Sequence, residues 1–481
     1  MNGIDDILSR ESADMGATAR RSGFLLLIVI AFVTLMDGMD GSIINVALPA
    51  LAVAMNTDTG TIAWVTVAYF LMIAGLILVF GRIASNGAVK KVLLYGLVLF
   101  TASSALCGVS DNLAMLITAR LLQGAGAAMM GAAAPIICVK YLPPGKLAMG
   151  LGILTVGSSI GYSIGPAIGG FIVDALSWHW VFLINIPLGL IALPLILKAV
   201  PKDSGHREIP LDKVGSLTFF VMMASGIYAL ERCSRPEDFL YCVIATVVFA
   251  VSLALFVATE RRVEHPLLNL RVFRNSGFNM VLISFFLVNM IYMGIWYLIP
   301  FHMHINLGMN SFTSGLYLLL PSIVTLALVI PLSRWSDRTC RRPFAVAGCV
   351  LTVVALAIWY IAAPGGVMSA ILLSLVLLGI VWALSGGVMA SRVVEEISDE
   401  SKEIGSSVMM EAIYIGCAVG TALYAMLFVM FTGSGNTSFS DLPPATFLDG
   451  FMFTLAVSIV LSLVATVMSA AVRDKPKRPS D

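Results

Sequence analysis

Long runs of apolar residues, separated by short polar stretches, dominate the chain. A helix of about 17–25 apolar residues is long enough to cross a bilayer, and the 481-residue sequence contains fourteen segments of this kind. They lie near residues 23–49, 61–83, 91–109, 112–137, 148–173, 177–199, 214–230, 239–259, 277–304, 312–333, 344–363, 367–391, 404–431 and 447–472. The pattern therefore predicts an all-α polytopic membrane protein with fourteen transmembrane helices.

Polar intervals after the sixth and the eighth segments divide the chain into parts. We expect an N-terminal segment at 1–22, a six-helix bundle at 23–200, two inserted helices with their flanking loops at 201–276, a second six-helix bundle at 277–472 and a tail at 473–481. A weak internal repeat supports this 6 + 2 + 6 plan. A shift of 255 residues superposes Gly150, Gly161 and Gly165 of the fifth segment on Gly405, Gly416 and Gly420 of the thirteenth.

The positions of Lys and Arg predict which loops face the cytoplasm, because short cytoplasmic loops carry the excess of positive charge. Twenty-six of the 29 Lys and Arg residues lie in the N-terminal segment, the tail or alternate loops on the same side. The three exceptions are Arg120, which lies within a segment, and Arg232 and Arg235. This distribution predicts that both termini are cytoplasmic.

Composition narrows the class of protein further. Hydrophobic residues make up 59% of the chain and charged residues 12%, and the mean hydropathy is +0.94, so a soluble protein is excluded. A net charge of +1 gives no reason to expect a nucleic-acid partner, and no loop is long enough for a soluble catalytic domain. We therefore expect a membrane protein that is not an enzyme. Its first apolar segment is expected to be an uncleaved anchor.

The seven cysteines are scattered along the chain and form no CxxC spacing. This distribution favours inert thiols over a metal site or a disulfide. The expected cofactor content is therefore none.

Three motifs stand at corresponding places in different segments. The first segment contains Asp40-Gly-Ser-Ile-Ile-Asn45-Val-Ala-Leu-Pro49, the fourth Leu116-Ile-Thr-Ala-Arg120-Leu-Leu-Gln123-Gly-Ala-Gly126, and the fifth the run Gly161-Tyr-Ser-Ile-Gly165-Pro166-Ala-Ile-Gly169-Gly170. They resemble D-x-T-x-x-N-V-A-L-P, L-x-x-x-R-x-x-Q-G-x-G and G-x-x-x-G-P-x-x-G-G of the major facilitator superfamily, in particular its fourteen-span drug:proton antiporter branch. The resemblance covers nearly the whole chain and implies that branch's helical bundle and antiport activity.

The glycine- and proline-rich run also has a direct physical meaning. An interior Gly costs a helix roughly 0.5–1 kcal/mol and an interior Pro about 3 kcal/mol, so the run predicts close helix packing or a bend. Comparison with the thirteenth segment, which has Thr421 where the fifth has Pro166, favours a surface on which the two halves rock.

Ionisable residues inside a membrane are functional candidates by default. Asp37 and Asp40 lie three residues apart on one helix face, and two nearby carboxylates cannot both stay ionised at low cost. We expect at least one of them to carry a proton, and Asp40→Asn to abolish proton-driven export from a folded protein. In the alternative interpretation, Asp40 caps polar packing and Asp37 faces a wet cavity.

Two further charged residues lie within predicted helices. Arg120 is expected to pair with Asp37 or Asp40 and so take part in proton coupling, or else to form a structural polar clamp with Gln123. Glu411 is expected to bind a proton or a cationic substrate, or else to reach towards the cytoplasmic interface.

Aromatic and amide side chains predict substrate contacts. Asn289, Tyr292, Trp296 and Tyr297 gather in the ninth segment, where aromatic faces attract cations, and Asn45 of the first motif is expected to join them. Phe301, His302 and His304 further along are better explained as an interfacial belt.

A charged loop motif is implied to gate the cytoplasmic side. The superfamily pattern G-x-L-A-D-R-x-G-R-K lacks its acid in the first half, where Ser85 stands at the Asp position. The second-half copy keeps its charges, which are Asp337, Arg338, Arg341 and Arg342. We therefore expect this second copy to carry more of the gating.

Together these features favour a monomeric, proton-coupled exporter of lipophilic cationic compounds in a bacterial inner membrane, working by alternating access and driven by the proton gradient. The alternative within transport is a carrier of a defined metabolite or lipid, because substrate choice is not written in the fold. A channel, receptor or embedded enzyme finds no supporting motif in the sequence.

Overall fold

A computed structural model describes residues 2–142, 147–203, 212–264, 266–268, 270–396 and 402–472. This part of the chain is helical throughout, apart from turns and loops. The α-helices are α1 Asn2–Ala54, α2 Thr59–Ile62, α3 Trp64–Ile83, α4 Val89–Gly108, α5 Leu113–Tyr141, α6 Leu147–Ala175, α7 His179–Leu183, α8 Asn185–Ala199, α9 Lys213–Arg232, α10 Phe239–Glu260, α11 Ser276–Ile305, α12 Ser311–Arg338, α13 Arg341–Ala362, α14 Met368–Leu384, α15 Ala390–Glu395, α16 Lys402–Thr432 and α17 Pro444–Ala471.

Thirteen helical stretches in the described residues are long and apolar enough to cross a membrane. One of them, Thr59–Gly108, has 50 residues, whereas about 20 suffice for one crossing. A π-helical turn at Ala84–Ala88 interrupts this stretch, and Gly87 adopts a φ of 104° there, a conformation that glycine tolerates best. The helices on either side, α3 and α4, both pack against α5. The all-α class is thus confirmed.

For description we call α1–α8 the first bundle or half, α11–α17 the second, and α9 and α10 the inserted pair. In the first bundle α3 and α4 pack on α5, and α1 packs on α6; in the second, α11 packs on α16 and α17, and α14 on α12 and α13. The inserted pair, α9 and α10, packs against α3 and α16 through α9. We call the end that carries the loops at 55–58, 306–310 and 433–443 the Asp58 end, and the opposite end, where α4 begins, the Lys90 end.

The α1–α6 interface explains most of the glycine run. A Cβ on Gly161 would collide with the backbone of Leu35 and lie 2.6 Å from the amide nitrogen of Met39, and a Cβ on Gly169 would lie 2.8 Å from the carbonyl oxygen of Ile43. Small residues let two helix backbones approach in this way. The run is therefore a packing surface inside the first bundle, and α6 continues through it as one helix.

Only part of the run faces the other half. A Cβ on Gly170 would collide with the backbone of Ser311, and one on Gly315 with the carbonyl of Pro166. These two sites join α6 to α12 at the Asp58 end. The surface between the halves thus involves Pro166 and Gly170, whereas Gly161 and Gly169 hold α6 to α1.

The internal repeat has a structural counterpart. Gly420 of α16 faces the backbone of Met290 on α11, and Gly416 lies against Asn289 and Met290 of the same helix. In the second half α16 therefore packs on α11, just as α6 packs on α1 in the first half.

We expect Gly161→Ala to destabilise the protein and Gly152→Ala to leave its stability unchanged or slightly raised. An added methyl at Gly161 meets backbone atoms that cannot move without separating α1 from α6, and overpacking of this kind costs about 1–3 kcal/mol. Gly152 lies on the same helix with nothing within 4 Å of its Cβ position. Thermal unfolding of the two variants in detergent is the measurement. Equal melting temperatures would contradict the packing argument.

The prediction of seven inert thiols is wrong for two cysteines. Cys233 and Cys242 form a disulfide that links the end of α9 to the start of α10. The chain reverses between these helices, so two residues nine positions apart bring their Cα atoms to 5.3 Å, within the usual range for a disulfide. A search for the CxxC spacing does not find such a pair, because the α9–α10 hairpin, and not a short sequence spacing, brings the two cysteines together.

The interfacial-belt interpretation is wrong for Phe301 and His302. Both are buried in the second bundle, where the His302 ring stacks on Phe451 at 4.5 Å and Phe301 meets Phe439 edge-on. The α17 helix and the 433–443 loop cover this face of α11, which therefore does not reach lipid. His304 is exposed, and its interfacial role stays a prediction.

Hydrogen bonds join the two halves at the Asp58 end. The amide of Phe439 donates to the carbonyl of Thr57 at 3.0 Å, and the hydroxyl of Tyr297 donates to the carbonyl of Thr59. On the other side of the bundle, the amide of Phe312 donates to the carboxylate of Asp174 at 2.8 Å. These contacts close the space between the halves at this end.

Candidate functional site: a cavity between the halves and a buried ion pair

A cavity of about 360 Å³ lies between the two halves. Its walls come from α1, α5 and α6 on one side and from α11, α12, α14 and α16 on the other. Most lining side chains are apolar or aromatic, and among the described residues that line the cavity Asp37 is the one that carries a charge. Polar lining also comes from serine, threonine, tyrosine and asparagine side chains: Thr34, Thr155, Ser158, Ser159, Tyr162, Ser163, Asn289, Tyr292, Ser322, Thr325 and Tyr414.

Asp37 lies on the cavity side of α1. The hydroxyl of Tyr69 on α3 donates a hydrogen bond of 2.9 Å to its carboxylate. The carboxylate is half-buried, and its position in the cavity wall gives it access to whatever occupies the cavity. This is the arrangement that suits a carboxylate able to exchange a proton for a cation.

Asp40, three residues further along α1, faces away from the cavity into a closed polar cluster. One carboxylate oxygen accepts from Arg120 at 2.7 Å; the other accepts from Gln123 at 2.8 Å and from Asn185 at 2.7 Å. The Asp40 and Arg120 side chains are 1% and 0% exposed. The carboxylate is thus fully neutralised and hydrogen-bonded, as a buried charge must be.

Arg120 ties this cluster to α3. Its Nε donates to the carbonyl of Val65 at 2.8 Å, its Nη1 donates to Gln123 as well as to Asp40, and its guanidinium lies 4.2 Å above the Tyr69 ring. Tyr69 therefore contacts both systems: its ring lies under Arg120 and its hydroxyl bonds Asp37. A shift of α3 relative to α1 would move both contacts together.

Three aromatic rings stack on the second-half wall. The Tyr292 ring stacks on Trp296 at 5.2 Å and on Trp382 at 4.3 Å, and all three residues line the cavity. Asn289 lines it one turn below Tyr292, with its amide bonded to the carbonyl of Phe285. Stacked ring faces and a single carboxylate on the opposite wall suit a flat or bulky cation.

Besides Asp40 and Arg120, three more predicted site residues lie outside the cavity lining. Asn45 is buried deeper in the first bundle, and Tyr297 is fully buried with its hydroxyl on Thr59 at the Asp58 end. Glu411 is 4% exposed, and neither carboxylate oxygen has a hydrogen-bond partner in the described part of the chain. It lies one turn from Ile415, which packs against the inserted pair.

The predicted gating charges form contacts within the second half. Arg341 forms ion pairs with Asp337 at 2.7 Å and with Glu395, which tie the start of α13 to α12 and α15. Arg342 donates to the carbonyl of Ala470, and Arg338 ends α12 as an exposed residue.

The sequence did not identify Asp203, whose carboxylate binds the start of α4 next to the first-half loop. Asp203, after α8, accepts hydrogen bonds from the amides of Lys90 at 2.8 Å and Lys91 at 3.1 Å. It thus caps the N-terminus of α4, where orphan amides favour an acid. The loop motif, which has Ser85 at its acidic position, gave no sign that the acid arrives from 113 residues further along.

Tyr69, Asn185 and Trp382 were also missed. Each belongs to a helix other than the one that carries its partner, and none lies in a motif. The only available signal was polarity or aromaticity inside an apolar segment, which Asn185 shows most clearly.

Comparison with known proteins agrees with this architecture. The family model described as Major Facilitator Superfamily matches residues 30–421. A lincomycin resistance protein of Streptomyces lincolnensis is 35% identical over 270 residues, 56% of each chain, so the match spans about half of that protein. A putative multidrug resistance protein, MdtD, of Pectobacterium carotovorum subsp. carotovorum is 26% identical over 460 residues, 94% of this chain and 96% of that protein.

Solved structures show the same fold. A bacterial homologue of the human lysosomal transporter Spinster, in an inward-facing and unoccupied conformation, superposes with a TM-score of 0.67 at 14% identity, covering 94% of this chain and 97% of that one. A POT family transporter in complex with 5-aminolevulinic acid gives a TM-score of 0.67 at 16% identity, covering 93% and 96%. Identities this low support the fold alone.

Proposed function

The chain belongs to the major facilitator superfamily and therefore transports small molecules across a membrane, and we propose that it exports lipophilic cations in exchange for protons. The observation that carries this proposal is the composition of the cavity, where a single carboxylate, Asp37, shares the lining with three stacked aromatic rings. Relatives named for multidrug and lincomycin resistance support export of toxic compounds.

The proposed topology has fourteen crossings, with both termini in the cytoplasm of a bacterial cell and the protein as a monomer in the inner membrane. Thr59–Gly108 then supplies two crossings, joined at Gly87. The Lys90 end is cytoplasmic, because it carries the basic loops, and the Asp58 end is outside. The two six-helix bundles and the inserted pair then correspond to 23–200, 277–472 and 201–276.

In this orientation the structure is closed on the outside, and the cavity lies on the cytoplasmic side of the contacts at the Asp58 end. A cation enters the cavity and replaces the proton on Asp37; after the halves rock, a proton from outside displaces the cation. Each charge that crosses 100 mV contributes about 2.3 kcal/mol. Alternating access of this kind is the general mechanism for repeat-built transporters.

The other predicted residues receive distinct roles. Asp40 and Arg120 hold α1, α3 and α5 together. Tyr69 contacts both Asp37 and Arg120, so a change in the protonation of Asp37 affects that cluster through Tyr69. Glu411 binds a second proton, because a buried carboxylate without a partner is far cheaper when neutral. Arg341 holds the cytoplasmic ends of the second half through its ion pairs with Asp337 and Glu395, and Arg342 through its contact to Ala470; Arg338 adds positive charge at the end of α12.

Proton release from purified protein tests this function. Addition of tetraphenylphosphonium to wild-type protein in weakly buffered detergent should acidify the solution, and Asp37→Asn should remove most of that signal. Binding of the cation without proton release would refute antiport. If no member of a panel of dyes and quaternary ammonium compounds binds, a carrier of a defined metabolite or lipid is the better description.

We expect Trp382→Ala to weaken tetraphenylphosphonium binding about tenfold. Desolvated cation–π contacts contribute up to about 2 kcal/mol, and 1.4 kcal/mol corresponds to a factor of ten. The matched control is Trp180→Ala, which removes an exposed tryptophan outside the cavity lining. Fluorescence titration of both variants measures the change, and equal affinities would exclude the aromatic wall as the binding surface.

A further inference from the structure

The helices α6 and α12 run antiparallel and are in close contact at the Asp58 end. Gly170 faces the backbone of Ser311, Pro166 faces Gly315, and the rings of Phe171 and Phe312 meet edge-on at 6.1 Å. These pairs fix the register of the two helices. Moving four residues back along α6 towards the Lys90 end, from Gly170 to Pro166, corresponds to moving four residues forward along α12, from Ser311 to Gly315.

The same register, continued, leads into the cavity. It places Ser159 opposite Ser322 and Thr155 opposite Leu326, and all four residues line the cavity. The two helices therefore change, along one line, from backbone contact at the Asp58 end to walls of a cavity nearer the Lys90 end. Serine and threonine at three of these four positions leave little side-chain volume to fill the crevice.

The last pair also lies on the outer surface of the bundle. Leu326 is 40% exposed and stands beside Ile323 and Ile330, which form an exposed apolar stripe on α12. Thr155 is exposed and stands beside Val156, an exposed apolar residue of α6. The lining of the cavity and the lipid-facing surface thus meet at Thr155 and Leu326.

The symmetry-related crevice is closed. The internal repeat relates α6 to α16 and α12 to α3, so the counterpart of the α6–α12 crevice lies between α16 and α3. Helix α9 covers it: the Phe220 ring occupies the space over Gly75 of α3, and Ile415 of α16 packs against the cluster of Phe219 and Phe256. The inserted pair therefore leaves one crevice accessible and seals the other.

We propose that the crevice between α6 and α12, at Thr155 and Leu326, is the entrance through which substrate dissolved in the lipid leaflet at the Lys90 end reaches the cavity. The substrate class is an amphipathic cation with an apolar body that partitions into the bilayer. This inference rests on the proposed export of lipophilic cations. It adds the crevice through which the substrate enters and identifies the lipid leaflet as the place from which it is taken.

Leu326→Trp tests the entrance against Leu316→Trp. Both positions are exposed leucines of α12, 40% and 47%, but only Leu326 lines the cavity. In proteoliposomes, Leu326→Trp should lower the initial rate of transport of Hoechst 33342, a dye that partitions into lipid, at least fivefold at low dye concentration, and Leu316→Trp should not. Tetraphenylphosphonium binding in detergent should stay unchanged in Leu316→Trp, which lies outside the cavity lining. Equal rates for the two variants would overturn the proposal.

A second measurement does not depend on transport. A bimane fluorophore is attached to Thr155→Cys and, separately, to Ile415→Cys, in protein whose five free cysteines are replaced by serine. Lipids that carry a doxyl quencher in the acyl chain should quench the fluorophore at position 155 strongly and at position 415 weakly, and tetraphenylphosphonium should alter only the signal at position 155. Equal quenching at both positions, or none at position 155, overturns the entrance even if proton-coupled transport is intact. If transport lacks proton coupling but the quenching pattern is as expected, the proposed function fails and the entrance stands.

Discussion

Asp37→Asn should reduce proton-driven transport in proteoliposomes to the level of protein-free liposomes and leave the protein folded. Asn retains an oxygen that accepts the 2.9 Å hydrogen bond from Tyr69, so local packing is kept, but it carries neither a proton nor a negative charge. A carrier that no longer alternates between proton and cation cannot use the gradient. Counterflow of labelled substrate against unlabelled substrate should persist when the substrate concentration is raised to offset the weaker binding, because it needs no net proton movement.

Asp441→Asn is the matched control for this experiment. It makes the same chemical change at an exposed carboxylate in the loop at the Asp58 end, outside the cavity. Gradient-driven transport should equal that of the wild type. Normal gradient-driven transport by Asp37→Asn would show that the proton is carried elsewhere, with Glu411 the first residue to examine by Glu411→Gln.

Asp40→Asn should have its largest effect on stability. From the sequence alone, this variant is expected to stay folded and to lose only proton coupling. The buried cluster of Asp40 with Arg120 leads to a different expectation. Removal of one partner from a buried ion pair costs about 3–5 kcal/mol because the other charge is left uncompensated, and Arg120 is fully buried. We expect a strongly lowered thermal midpoint in detergent and poor recovery of monodisperse protein.

The double variant Asp40→Asn with Arg120→Gln provides the control for Asp40. Neutralising both partners removes the uncompensated charge, so part of the lost stability should return. If Asp40→Asn instead melts at the wild-type temperature but fails to couple transport to protons, Asp40 carries the proton and the structural role assigned to it is wrong.

The helical class and most helix positions follow from hydrophobic pattern alone, because apolar length is the dominant requirement for crossing a bilayer. The breaks within helices do not. The sixth segment divides near Ile184 into α7 and α8, and the twelfth contains a π-helical turn at Ser385–Met389. These departures depend on neighbouring helices, which a hydropathy pattern does not describe.

For the candidate site, the sequence identifies which residues are unusual but not which of them meet. Two acids three residues apart on α1 are equivalent in pattern, yet one faces the cavity and the other a polar cluster. The difference arises from Asn185 and Gln123, which lie 145 and 83 residues away along the chain. Aromatic residues of the ninth segment divide in the same way, with Trp296 on the cavity and Tyr297 beside it in the bundle core.

The link between Cys233 and Cys242 bears on orientation by a route independent of basic residues. Disulfides form and persist in oxidising compartments such as the bacterial periplasm and are rare in the reduced cytosol. The α9–α10 hairpin carries its disulfide at the same end of the molecule as Asp58, to which Arg235 is paired at 3.2 Å. We therefore expect that end to face the oxidising side of the membrane, from which the proposed antiporter would draw its protons. A thiol-specific label applied to intact cells before and after mild reduction would test this orientation.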